Sequence, residues 1–243
     1  MEFHNLHMVG KLPRYAQIRH LLQQELAKQS WPVGGMIPSE QMLAETYGVS
    51  IGTIRKAVDL LVRDGLLDKV QGKGTFVKYP DFNSSLTRFF RHRNKDGLPI
   101  IPVGKVEKLT SIDGNGEINT FLGRAAHEPL IYIERTRRLS GTVIVSEKIW
   151  LPREPFAALL KLKPEQFDNL LYPLYIKQCG QLILSAREQL TFLPRYADDY
   201  LPAGNSGAAV KIRRFAYGIN GEVLEYRESY GKADDFCYET VIA

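Results

Sequence analysis

Arg135 and Arg137 stand on one face of the alternating stretch Leu130–Leu139, beside Ile131 and Ile133. In the next stretch Val143, Val145, Glu147, Ile149 and Leu151 share a face, so a carboxylate interrupts an apolar stripe. Leu184, Ala186, Glu188, Leu190 and Phe192 repeat the pattern with a second acid. A charge on the buried side of a strand is costly unless it is paired. Two chemistries suit these residues. One is a set of ion pairs that stitch a sheet, Arg135 with Glu147 foremost. The other is an anion pocket, in which two guanidiniums hold a carboxylate or phosphate and Glu147 and Glu188 serve hydroxyl or amine groups. A single Arg–Glu pair leaves Arg137 without an assigned partner, which favours the pocket.

A second group of residues lies earlier. Gln71-Gly72-Lys73-Gly74 sets one cation between two glycines, which permit a tight tip and leave little bulk around it. Such a tip suits contact with phosphate or with a minor groove. Residues 1–79 carry 10 Lys+Arg against 7 Asp+Glu, so more than half of the formal net charge of +5 falls in the first third. A charge of that size does not prove nucleic-acid binding, so the case rests on placement. Catalytic and metal chemistry finds little support. His4, His7, His20, His92 and His127 are scattered, and Cys179 and Cys237 have neither metal-ligand spacing nor a disulfide framework. A reducing cytoplasm, no secretory signal, no membrane span and no cofactor are the expectations.

The elements that must position these residues are legible. Helix 1 runs from about Pro13 or Arg14 to Gln29, with Ile18, Leu21, Leu22 and Leu26 on one face. Ser39 caps helix 2, Glu40 sits in its first turn, and Gly48 ends it. Ser50 caps helix 3, whose buried stripe is Ile54, Val58 and Leu61. Arg55, Lys56, Asp59 and Arg63 lie off that stripe. Leu67–Val70 and Thr75–Lys78 are strands around the Lys73 tip. Two capped helices joined by a short glycine turn let the second protrude and offer its first residues, Ile51 and Gly52 among them, to a major groove. The bland alternative is a helical bundle with a hairpin that contacts protein.

Residues 1–11 read as a loose tail, 12–79 as a winged helix-turn-helix domain, 80–87 as a linker and 88–243 as a second domain. The basic, aromatic stretch Thr87–Asp96 is either a surface turn or a segment lying on a ligand site or against the first domain. The second domain is α+β with a mostly antiparallel sheet. Its expected strands are Val103–Ser111, Leu130–Leu139, Val143–Leu151, Leu182–Leu193, Val210–Ile219, Glu222–Tyr230 and Phe236–Ile242. Helices are expected over Glu154–Lys161 and about Asp168–Cys179, and a hairpin turn at Asn220-Gly221. A three-residue loop at 140–142 sets Arg135 opposite Glu147. A two-residue loop would set Arg135 opposite Ser146, and the former keeps the apolar residues together.

These residues also carry a resemblance. Pro38-Ser39-Glu40, Leu43-Ala44, Tyr47-Gly48-Val49-Ser50, Thr53-Ile54-Arg55, Asp64-Gly65-Leu66 and Gln71–Val77 resemble the DNA-binding domain of the GntR family of bacterial transcription regulators. The resemblance implies operator palindromes bound by homodimers. It implies that Ser39, Ser50, Thr53 and Arg55 hold phosphates or reach base edges, and that Gln71, Gly72, Lys73 and Gly74 enter the minor groove. Two positions depart: Gln41 and Ile51 stand where many relatives have Arg. An Arg can hold guanine bidentately, whereas Ile makes only apolar contact, for example with a thymine methyl, so a different operator is expected.

Leu130–Ile242 resembles the UTRA effector domain of the HutC subfamily, which shares its fold with chorismate lyase. By that resemblance Arg135, Arg137, Glu147, Tyr172 and Glu225 contact a ligand, joined from the strand pattern by Glu188. Gly231 and Phe236 stand where many relatives carry Tyr, which argues against copying any relative's ligand. The expectation is a ligand-responsive regulator, most readily a repressor, responding to a small anionic metabolite. An enzyme on the lyase-like fold and an architectural DNA-binding protein without an effector are the alternatives.

Overall fold

In the computed structural model, which describes residues 12–32, 34–78, 102–204 and 206–236, two serine caps set the geometry of the first third. Ser39 Oγ accepts from the Met42 amide at 3.2 Å and starts α2, Glu40–Tyr47. Gly48 ends it in the left-handed region at φ 61°. Ser50 Oγ then accepts from the Thr53 amide at 3.2 Å and starts α3, Ile51–Arg63. Each cap satisfies an amide that the first turn leaves unpaired. The α3 sequence mixes good helix formers with Gly52 and the β-branched Ile51, Thr53, Ile54, Val58 and Val62, and Ile54, Val58 and Leu61 are fully buried. Burying one such side chain is worth about 1.5–3 kcal/mol, so packing rather than propensity holds this helix.

Helix α1, Arg14–Ala27, packs Ile18, Leu22 and Leu26 into the same core. Leu21, expected on that face, is 40% exposed: Ile18, Leu22 and Leu26 repeat every four residues, and Leu21 lies off that line. Arg19 donates twice to Asp64 Oδ2, at 2.7 and 3.1 Å, tying α1 to the end of α3. Strands β1, Leu67–Val70, and β2, Gly74–Val77, pair from Leu67↔Val77 to Val70↔Gly74. The tip is therefore Gln71-Gly72-Lys73, with Gly74 already in the strand.

The chain divides into two compact units, residues 1–81 and 82–243. The expected tail 1–11, the linker 80–87, the Thr87–Asp96 segment and nearly all of the expected strand Phe236–Ile242 lie outside the described residues. The second unit is built on one six-stranded antiparallel sheet. Its strands are β3 Val103–Ile112, β4 Leu130–Leu139, β5 Thr142–Pro152, β6 Ser185–Leu193, β7 Ala209–Tyr217 and β8 Val223–Lys232. Their order is β3-β4-β5-β8-β7-β6. A short helix, α4 (Gly116–Phe121), was not expected from the sequence. It is a single turn and a half, capped by Asn115 and tied down by the buried Asn119 side chain. Helix α5 (Arg153–Phe156) tightens into a 3-10 turn over Ala157–Lys161, and α6 spans Leu171–Cys179. Phe156, Leu159, Leu171 and Tyr175 pack on Ile131, Ile133, Ile149 and Leu151, which form the apolar half of one sheet face.

The β4–β5 hairpin reaches the expected register by another route. Its turn has two residues, Ser140 and Gly141, both at positive φ (47° and 83°), and Leu139 faces Thr142. That turn alone would set Arg135 opposite Ser146. A bulge at Ile144 adds one residue to β5, so Arg137 faces Val145 and Arg135 faces Glu147. The charged face is kept in register by the bulge and not by a longer loop.

Candidate functional site

The first unit leaves its expected contact residues at the surface. Ser39, Gln41, Ser50, Ile51, Gly52, Arg55, Gln71, Gly72, Lys73 and Gly74 are all exposed, and Thr53 is half-buried. The serine and threonine hydroxyls do double work: Ser50 Oγ caps α3 and lies 2.9 Å from Thr53 Oγ1. Arg55 is oriented. Its Nε donates to Glu40 Oε2 at 2.9 Å, while Lys69 Nζ donates to Glu40 Oε1 at 3.0 Å and to Asp59 Oδ1 at 2.6 Å. One carboxylate on α2 thus holds a cation from α3 and another from β1. Burial raises the Glu40 carboxyl, but Lys69 and Arg55 outweigh it and leave its pKa below the ordinary value. Lys56 is not free for the same surface, since its ammonium lies 3.9 Å from the Tyr15 ring centroid.

The second unit brings Arg135, Arg137, Glu147, Tyr172 and Glu225 into one buried cluster on the sheet face covered by α6, with Glu188 half-buried at its edge. Arg135 Nη1 and Arg137 Nε each lie 3.3 Å from Glu147 Oε2. Arg137 therefore has a carboxylate partner, contrary to the expectation from the sequence, because one Glu147 oxygen serves both side chains. Nor is Glu147 left for a hydroxyl or amine: its Oε1 takes Arg227 Nη1 at 3.3 Å. Glu188 is likewise engaged, by Arg214 Nε at 2.8 Å. Glu225 accepts from Tyr172 Oη at 3.0 Å, Tyr175 Oη at 2.8 Å and Arg227 Nη2 at 2.8 Å.

Sequence reasoning missed Arg214, Arg227, Tyr175 and Asn169. Arg214 left a signal, for it interrupts the stripe Val210, Ile212, Ala216 as Arg135 interrupts its own. Arg227 left none: Glu225, Arg227 and Ser229 are all polar, so their stripe reads as a solvated face although Glu225 is fully buried. Asn169 lies just before α6 and closes the cluster. Its backbone carbonyl accepts from Arg135 Nη2 at 2.5 Å and Arg137 Nη1 at 3.1 Å. Its side-chain oxygen accepts from Arg137 Nη1 at 3.2 Å and from the Gly104 amide at 2.6 Å.

Four guanidiniums thus face three carboxylates. Burial, and then the neighbouring Arg137, push Arg135 down to about 9. Burial would raise Glu147, but Arg137, Arg227, Arg135 and Arg214 together hold it well below the usual carboxylate range. Burial and then Glu225 push Tyr172 up to about 12. The Nε donors of Arg135 and Arg227 are buried with no hydrogen-bond partner. Such a cluster can hold oxyanions, because guanidinium donors match them in shape and charge. Among the described residues no group of His, Cys, Asp and Glu could hold a metal ion, and no helix is long and apolar enough to cross a membrane.

A winged helix-turn-helix followed by a separate six-stranded domain with a buried polar cluster defines a two-domain transcription regulator. Residues 14–77 match the bacterial regulatory proteins of the gntR family, and residues 102–237 match the UTRA domain. The chain belongs to the GntR family, in its HutC subfamily of regulators that carry a UTRA domain. The HTH-type transcriptional repressor NagR of Bacillus subtilis is 26% identical over 240 residues, covering 96% of each chain. The histidine utilization repressor of Pseudomonas putida is 40% identical over 77 residues, 32% of this chain and 31% of that one. The crystal structure of PhnF from Mycobacterium smegmatis shares the fold with a TM-score of 0.52 at 20% identity, over 93% of this chain and 99% of that one. The two repressors are transcription regulators, not enzymes, and the family sets this chain in the same class.

Proposed function

We propose that this chain is a sequence-specific repressor whose grip on a palindromic operator is set by a small anionic metabolite bound at the Arg135–Arg137–Arg214–Arg227 cluster. The observation that carries the reading is the imbalance of that cluster. Four buried guanidiniums meet three carboxylates, and two buried guanidinium N–H donors have no partner. An unsatisfied buried donor costs about 1–3 kcal/mol, which a bound oxyanion would recover. The weakest competitor for the guanidiniums is the neutral Asn169 carbonyl, and an anionic oxygen outcompetes it.

The same residue supplies a route outward. Asn169 Oδ1 holds the Gly104 amide at the start of β3, the first described strand of the second unit. An anion that displaces Asn169 would loosen that strand end, and operator affinity would follow from the difference in effector affinity between the two states. On the DNA side, Ser39, Ser50, Thr53 and Arg55 hold phosphates or base edges, and Gln71–Gly74 enters the minor groove. A homodimer acting in the cytoplasm would set two such heads on successive major grooves.

The test is a thermal-shift screen of small carboxylates and phosphate esters on the full chain, followed by operator binding with and without each stabilising compound. A compound that raises the melting temperature and changes operator affinity supports the reading. Stabilising anions that leave operator affinity unchanged would sink the regulatory claim.

A further inference from the structure

The surface between the start of α3 and the adjoining face of α2 has a chemistry of its own. Ile51, the first residue of α3, is 44% exposed. With Gln41, Glu45 and Val49 it lines a shallow depression of about 460 Å3, and none of the residues described around it is Lys or Arg. Gln41 Nε2 reaches toward Glu45 Oε1 at 3.4 Å, so the amide and the carboxylate face the same space as the isoleucine. Three described cations near this surface are placed elsewhere: Arg55 is held by Glu40, Lys69 by Glu40 and Asp59, and Lys73 is on the hairpin tip.

The first residues of a helix in this position meet base edges in the major groove. There guanine offers two acceptors, adenine an acceptor and a donor, cytosine a donor, and thymine an acceptor and a methyl group. Ile51 has no polar atom in its side chain. The single apolar feature of the major-groove edge is the thymine 5-methyl. The Glu45 carboxylate opposes the two guanine acceptors, whereas a Gln amide matches the adenine N6 and N7 pair. The apolar side chain and the amide together suit A·T, and the acid opposes guanine N7 and O6 while matching only the cytosine N4 donor.

Resting on the DNA-binding reading above, we infer that the Ile51–Gln41–Glu45 surface selects an A·T pair in each operator half-site, with the thymine 5-methyl seated on Ile51. The experiment uses the full chain to enrich duplexes from a random pool, and then replaces each thymine of the enriched half-site by deoxyuridine, which lacks only the methyl. At fixed salt, one thymine per half-site loses about fourfold in affinity, the worth of one buried methyl group. The loss persists in Ile51→Leu and vanishes in Ile51→Ala, while Ile51→Arg moves the enriched base at that position toward guanine. An enriched half-site in which no thymine is methyl-sensitive, or a sensitivity that survives in Ile51→Ala, overturns the assignment and leaves DNA binding standing. A pool that yields no enriched duplex overturns both.

Discussion

A methyl group on Gly104 would stand 2.5 Å from Arg135 Cζ, so the absence of a side chain at 104 is what lets the buried guanidinium lie flat against β3. The same residue donates its amide to Asn169 Oδ1 at 2.6 Å, so β3 is fitted to the cluster both by shape and by a hydrogen bond. Gly104→Ala must displace Arg135 from its place between Glu147 and the Asn169 carbonyl. Overpacking of this kind costs about 1–3 kcal/mol. Denaturant unfolding of the full chain should show that loss in the transition of the second unit, and an unchanged midpoint would contradict it.

Asn169→Ala separates binding from response. The variant keeps the backbone carbonyl that Arg135 and Arg137 use but removes the side-chain oxygen shared by Arg137 and Gly104. Titration calorimetry with the compound found by the screen should give an affinity no weaker than wild type, since the two hydrogen bonds removed are ones that the anion itself displaces. Operator affinity should no longer change when that compound is added. A full response in Asn169→Ala would remove this link from the pathway.

Glu147→Gln leaves three guanidiniums without their common acceptor charge. Removing one member of a buried ion cluster costs about 3–5 kcal/mol, measurable as a fall in unfolding free energy. The pH dependence has a definite sign. The Glu147 carboxyl titrates lower in the folded chain than in the unfolded one, so it stabilises the fold above the unfolded pKa of about 4.3. That contribution is lost as pH falls from there toward the depressed folded value. Wild type should therefore lose stability more steeply on acidification below about pH 5 than Glu147→Gln does. Parallel acid-unfolding curves would show that another group dominates.

Arg55→Ala and Lys73→Ala should weaken operator binding in different ways. Arg55 is aimed by Glu40, and its loss should cost about 1–3 kcal/mol on the operator, with less effect on unrelated duplex. Lys73 is exposed at the hairpin tip, and its loss should lower affinity for all duplexes and reduce the slope of log affinity against log salt by about one. Gel-shift titrations at several salt concentrations separate the two patterns.

The reading head was legible almost to the residue because its signals are local. Ser39, Gly48 and Ser50 mark helix ends by cap chemistry, and Ile54, Val58 and Leu61 fix the buried face by spacing. The charged half of the second unit was legible from strand pattern only where a charge broke an apolar alternation, as at Arg135, Glu147 and Glu188, while Tyr172 and Glu225 came from the family resemblance. Arg227 and Asn169 were not, since one lies on a wholly polar stripe and the other stands outside the strands and serves half of its contacts through its backbone carbonyl. Pairing Arg135 with Glu147 was right for a reason that was wrong: a rule relating loop length to register takes no account of a bulge further along the strand.

That bulge has a practical side. Because Ile144 takes up the mismatch, the Ser140–Gly141 tip and the Arg135–Glu147 pair lie on opposite sides of the bulge in one hairpin. The tip is thus a place to graft a fluorophore or an affinity tag on the second unit without rewiring its charge cluster. A label there would watch the domain without becoming part of the circuit it reports on.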